Sequence, residues 1–127
     1  MNRSVFSALQ EVRQAAESMY SGVCTIYEIR SYEDPITRIT RTQEDAVLLD
    51  APCRLSYSQL SSAEGSGTVT DQDQQIILFL SPEHEVRPGS KIVVTQCGGT
   101  TEYARSGKGA IYSSHQEIPL KLFEGWA

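Results

Sequence analysis

Residues 79–127 read FLSPEHEVRPGSKIVVTQCGGTTEYARSGKGAIYSSHQEIPLKLFEGWA, and this stretch decides the fold. Ser81-Pro82 breaks the apolar run Ile76–Leu80. Arg87-Pro88-Gly89-Ser90 sets Pro and Gly in the order of a type II turn. Lys91–Gln96 follows as a strand with Ile92 and Val94 on one face. Cys97-Gly98-Gly99-Thr100 is a tight turn. Thr101–Arg105 and Ala110–Ser114 are short strands on either side of Ser106-Gly107-Lys108-Gly109. Glu117–Phe123 closes the set, and Pro119 marks an edge or a bulge in it. Many short strands with frequent turn signals predict an antiparallel barrel or sandwich. Nothing alternates strand with helix, which excludes a doubly wound parallel sheet. The stretch closes on Phe123 and Trp126, and two readings stand for them: packing on their own body, or anchoring a neighbouring subunit.

Upstream, residues 4–19 form the one predicted helix. Val5, Leu9, Val12, Ala16 and Met19 recur at helical spacing, Phe6 widens the stripe, and Gly22 ends it. Such a face packs on its own domain or receives a partner, with Phe6 and Leu9 as contact candidates. From Val23 the period changes to two, which predicts a strand to Tyr32. Glu33-Asp34-Pro35 is a turn, and Ile36–Thr42 returns as the second arm of a hairpin. Ala46–Leu49 and Cys53–Tyr57 read as two further strands, broken at Asp50-Ala51-Pro52. The expectation is one domain over residues 1–127: mainly β, a small antiparallel β-barrel or sandwich, with one N-terminal α-helix and a long mobile loop.

That loop is residues 58–75, SQLSSAEGSGTVTDQDQQ. It has no Lys or Arg and too little apolar surface to hold itself rigid. Long loops in small domains are commonly functional or disordered. Ser61, Ser62, Glu64, Gly65, Ser66, Gly67, Asp71 and Asp73 are its candidate working residues.

Composition narrows the function. The chain has 127 residues, 39% apolar and 21% charged, an ordinary balance for one folded domain. The formal charge of −5 is spread without blocks, so a duplex-binding face built from clustered Lys and Arg is not expected. A negative surface can still line a DNA channel without sticking to it. Cys24, Cys53 and Cys97 are far apart in sequence and odd in number, which argues against a disulfide framework and for a reducing cytoplasm. No run approaches a membrane span of about 20 apolar residues, and the first residues lack a secretory pattern.

Motifs for chemistry are missing. Gly107-Lys108-Gly109 fails as a phosphate loop, because Glu102 stands where the first glycine is needed and Gly109 where Ser or Thr is needed. His84 lies between Glu83 and Glu85 in a surface loop, and adjacent residues do not converge readily on one metal. His115 reads as a strand-end residue bonded locally. No catalytic residue, metal or cofactor is expected, although a Cys–His pair assembled in space remains open.

The order of these pieces resembles small head-completion proteins of tailed bacteriophages, the stopper or head-closure class. The resemblance rests on Val23–Tyr27 after a short helix, on Ala51-Pro52-Cys53-Arg54-Leu55-Ser56-Tyr57, and on Phe79-Leu80-Ser81-Pro82 with Arg87-Pro88-Gly89-Ser90-Lys91-Ile92. His115-Gln116-Glu117-Ile118 and Trp126-Ala127 complete it. The chain is similar to minor structural proteins of phages and prophages of Gram-positive bacteria over nearly its whole length. The resemblance implies a non-enzymatic connector subunit at the virion's head–tail junction, assembled in the host cytoplasm. It implies a ring of identical subunits beneath the portal and adaptor ring, which closes the filled head and meets the tail-terminator proteins. It implies double-stranded DNA only as a non-specific channel contact, with Glu64, Asp71 and Asp73 facing it, and no membrane. The alternative from the residues alone is a small β-barrel protein-binding module unrelated to virions.

Overall fold

A computed structural model describes residues 3–59 and 74–126. The elements in chain order are helix α1 (Arg3–Glu17) and strands β1 (Gly22–Glu33), β2 (Thr40–Gln59), β3 (Gln74–Leu80), β4 (Lys91–Gln96), β5 (Gly99–Arg105), β6 (Ala110–Ile111) and β7 (Gln116–Leu122). All pairings are antiparallel, in the order β3-β2-β1-β4-β5-β7, and a β3–β7 ladder closes the ring of strands into a barrel. Closure removes the open edges a flat sheet would expose. The expected mainly β, antiparallel barrel with one helix is what the chain forms.

Period-two alternation fills the barrel. Cys24 and Ile26 of β1, Cys53 and Leu55 of β2, Leu78 and Leu80 of β3, Ile92 and Val94 of β4, Tyr103 of β5, and Ile118 and Leu120 of β7 all point inward and are buried. Each such aliphatic contributes roughly 1.5–3 kcal/mol through burial. Val86, from the β3–β4 connection, plugs the same core. Buried Gln116 holds that connection in place, its Nε2 donating to the carbonyls of Ser81 (2.8 Å) and His84 (2.6 Å). Arg105 Nη1 donates to Val86 O at 2.6 Å.

Local chemistry explains the turns and bends. Gln96 pairs with Gly99, and both residues between them have positive φ, Cys97 at 54° and Gly98 at 80°. That is the twist a two-residue hairpin turn of type I′ requires. Gly109 lies so close to β7 that a Cβ there would sit 2.5 Å from the Glu117 carbonyl oxygen. Pro119 lies within β7 rather than at an edge or a bulge. Its carbonyl accepts from Ser106 N (2.8 Å), so its nitrogen also faces the junction where β5 ends and β6 begins. The absent N–H therefore falls in a gap of the ladder.

The region 36–57 differs from the sequence expectation. Three short strands were expected there, and one strand of 20 residues runs from Thr40 to Gln59. Asp50 does not break it. Between Cys24 and Tyr27 of β1, two extra β2 residues are absorbed as bulges, and Asp50 takes φ 46° within them. Asp50 N donates to Thr25 Oγ1 at 3.2 Å, which ties the bulge to the facing strand. Bulges bend a strand without ending its pairing. The hairpin turn also runs further, with β2 starting at Thr40 rather than Ile36. The ends of the expected loop are strand too, because β2 extends to Gln59 and β3 starts at Gln74.

The helix turns a different face inward. Leu9, Arg13, Ala16 and Tyr20 are half-buried, whereas Val5, Val12 and Met19 are exposed. Polar anchoring explains the rotation: Arg13 Nε donates to Ser113 O at 2.9 Å. None of the described helices is long and apolar enough to cross a membrane.

Candidate assembly surface

The strongest surface features lie where strands outrun the barrel. β4 pairs with β1 only from Gly22 to Tyr27, and β3 pairs with β2 only from Cys53 to Gln59. Among the described residues, 28–33 and 40–46 therefore pair only with each other and form a two-stranded ribbon. A lone ribbon of this kind is marginal in water. Its tip is nevertheless ordered by its own bonds. Asp34 Oδ1 accepts from Ile36 N (2.8 Å) and Thr37 N (3.3 Å), Arg38 N donates to Asp34 O (2.8 Å), and Asp34 N donates to Ile39 O (2.9 Å). Those amide bonds, the one from Ile36 first, hold the Asp34 carboxyl below its usual range. Ile36 stands on this frame 90% exposed.

At the ribbon's base lies Lys91, whose side chain is only 11% exposed. Its ammonium donates to both oxygens of Glu44 (2.6 and 3.0 Å) and lies 3.7 Å from Glu102. The rings of Tyr27, Phe123 and Trp126 surround it at 5.1, 5.6 and 6.0 Å. Trp126 Nε1 donates to Glu44 Oε1 at 2.9 Å, and Phe123 meets Trp126 edge to face at 5.1 Å. Hydrogen bonding to Glu44 raises the Lys91 pKa, and bonds from Lys91 and then Trp126 lower that of Glu44. Residues 123–126 are thereby fastened across the outer face of β1, β2 and β4. Beside them runs a groove of about 530 Å³, lined by Ile29, Pro88, Leu122, Phe123 and Trp126, with Glu28, Arg87, Lys121 and Glu124 also in its lining.

A second polar cluster seats the helix. His115 Nε2 bonds Glu117 Oε2 at 2.9 Å, and its Nδ1 bonds Ser114 Oγ at 2.9 Å. The ring stacks on Tyr112 and tilts against Phe79, which carries the Arg54 guanidinium at 5.1 Å. Arg13 reaches the same corner through Ser113. Ser114 precedes the histidine directly and packs with it, so the arrangement fastens loop to strand. Cys24 and Cys53 lie together in the core. The hydrogen bond to Cys53 and burial push the Cys24 thiol up, which keeps it protonated. Cys97 is exposed on the β4–β5 turn. Among the described residues, no His, Cys, Asp and Glu side chains gather as metal ligands.

The sequence candidates fall unevenly on this surface. Ser61, Ser62, Glu64, Gly65, Ser66, Gly67, Asp71 and Asp73 lie outside the described residues, as does the side chain of Phe6. Leu9 is half-buried on α1. Phe123 and Trp126 are half-buried and packed on their own barrel, with one side of each lining the groove. Sequence reasoning passed over Ile36, Glu44 and Lys91. The signal for Ile36 was an aliphatic residue directly after Asp-Pro, where turns ordinarily carry polar residues.

No family model matches the chain, and no curated protein does. Its fold, however, has a counterpart among solved structures. It is similar to protein xkdH of the phage-like element PBSX from Bacillus subtilis. The match has a TM-score of 0.50 at 15% identity and covers 80% of this chain and 93% of xkdH. At that identity the two share a fold.

Proposed function

We propose that this protein is a non-enzymatic structural subunit of a phage or prophage head-to-tail connector. In this reading it forms a ring below the portal and adaptor, closes the DNA-filled head and docks the tail. The observation that carries the reading is the barrel shared with xkdH, a protein of a phage-like element, over most of both chains. The phrase around Gln116 supports it, since that side chain clamps the connection whose Val86 fills the barrel core. The surface supports it too. Val5 and Val12 stand exposed on α1 and Met19 just past its end, and Ile36 and Ile39 stand out on the ribbon's turn. Exposed apolar surface of this kind marks contacts with other proteins. The acidic balance suits a wall beside DNA that must slide.

The test is to mix the purified protein with the portal–adaptor complex of the same phage and weigh the product by native mass spectrometry. A discrete species carrying a ring of added copies is expected, together with the protein's presence in purified virions. Absence from virions and no complex with the adaptor would refute the proposal.

A further inference from the structure

We propose that the ribbon tip carrying Ile36 seats in the groove beside Leu122 of a second copy of this chain, head to tail. The pairwise contact stands without the connector reading, while closure of such contacts into a ring rests on it. Three observations carry it. The Asp34 bonds shape the turn, so presenting Ile36 costs less ordering entropy than an unbonded loop would. An aliphatic side chain 90% exposed on a hydrogen-bonded turn has the character of an anchor residue. The groove mixes apolar residues (Ile29, Pro88, Leu122, Phe123, Trp126) with charged ones, and it is of the size that accepts such anchors, roughly 300–1,000 Å³.

The tip cannot reach the groove of its own chain. Ile29 lines the groove, β1 runs four residues past it to Glu33, roughly 13 Å at about 3.3 Å per residue, and Ile36 lies beyond that end on the turn. Charge favours a copy of the same chain as the occupant. Glu33 and Arg38 pair with each other across the tip at 3.9 Å, which leaves Asp34 and Arg41 there without an ion pair among the described residues. The groove's lining offers both Lys121 and Glu124, which make no ion pair among the described residues. Arm and groove are different surfaces, so each copy offers one of each. That is a heterologous contact, which propagates until it closes.

Two variants at exposed positions, Ile36→Asp and Leu122→Asp, test it, with circular dichroism to confirm that each folds. Sedimentation velocity over a concentration series reads association. Wild-type protein should form oligomers beyond the dimer, and each variant alone should associate at least about tenfold more weakly. Mixed one to one, the variants should yield a heterodimer and nothing larger, because only one intact arm meets one intact groove. A wild type that stays monomeric, an Ile36→Asp variant that assembles normally, or a mixture that stays monomeric would overturn the contact. A wild type that stops at a dimer would overturn the head-to-tail arrangement. If Ile36→Asp still joins the adaptor ring in full number, the arm contact fails while the connector reading survives. If wild type self-associates through the arm but never enters virions, the connector reading alone falls.

Discussion

Glu44 joins the ribbon to the closing segment, since it accepts from both Lys91 and Trp126. Its pKa is lowered chiefly by the Lys91 bond, so its contribution to stability is present above the ordinary value of 4.5 and is lost as pH falls through the lower folded value. Lys91 is shifted upward by Glu44. Its contribution is present below 10.5 and is lost as pH rises through the higher folded value. Trp126 is the single tryptophan, so its fluorescence reports the contact directly. We expect a steady emission maximum between these limits and a red shift beyond each, with the acid limb abolished in Glu44→Gln. An unchanged acid limb in that variant would place the anchor elsewhere. The cysteines give a second residue-scale outcome. Cys97 is exposed while Cys24 and Cys53 are buried. An excess of thiol reagent should therefore modify one cysteine per native chain and three after denaturation. Rapid modification of all three in the native state would contradict the core described above.

Two glycines differ in why they are needed, and that difference belongs to the elements they join. At Gly109 a Cβ would meet the Glu117 carbonyl at 2.5 Å, and the obstacle is the backbone of β7, which cannot swing aside. Gly109→Ala should cost about 1–3 kcal/mol and loosen β6 from β7. At Gly89 nothing lies within 4 Å, and only the φ of 87° resists a side chain. Gly89→Ala should cost about 1–2 kcal/mol and leave β6 intact. Thermal unfolding gives both losses, and amide exchange at Ala110 and Ile111 separates them. Gly22 shows a third use. Its missing side chain leaves room for Gln96, whose amide oxygen accepts from Leu55 N at 2.8 Å beyond the end of β1.

Across the molecule, stability should divide between barrel and ribbon. The β3–β7 ladder joins Ile76–Leu80 to residues 116–120 and completes the barrel around Leu78 and Ile118. Residues 28–33 and 40–46 have no third strand among the described residues. Amide exchange should therefore be slow at Leu78, Leu80 and Ile118 and faster by orders of magnitude at Arg30, Thr42 and Gln43 in the isolated chain. Ribbon amides as slow as the barrel's in a monomer would mean that the ribbon is not free-standing. Much of the barrel half was legible in advance, because Pro88-Gly89 and Cys97-Gly98 are local turn signals and Ile92 and Val94 alternate locally. The surface was less legible. Of the stripe Val5, Leu9, Val12, Ala16, Met19, Leu9 and Ala16 turn inward, joined by Arg13 and Tyr20, while Val5, Val12 and Met19 are exposed.

Local chemistry in the chain determined which segments are strands, where the tight turns fall and that a small antiparallel barrel results. Alternation and turn residues act within a few positions, so they can be read along the chain. Only the tertiary structure decided that residues 40–59 are one strand, because bulges depend on the facing register. Register also decided that the arm outruns the barrel, since β3 and β4 are shorter than the strands they flank. The groove beside Leu122 and the bonds among Glu44, Lys91 and Trp126 join positions up to 82 residues apart. No local signal records such a meeting; it follows from how the barrel closes.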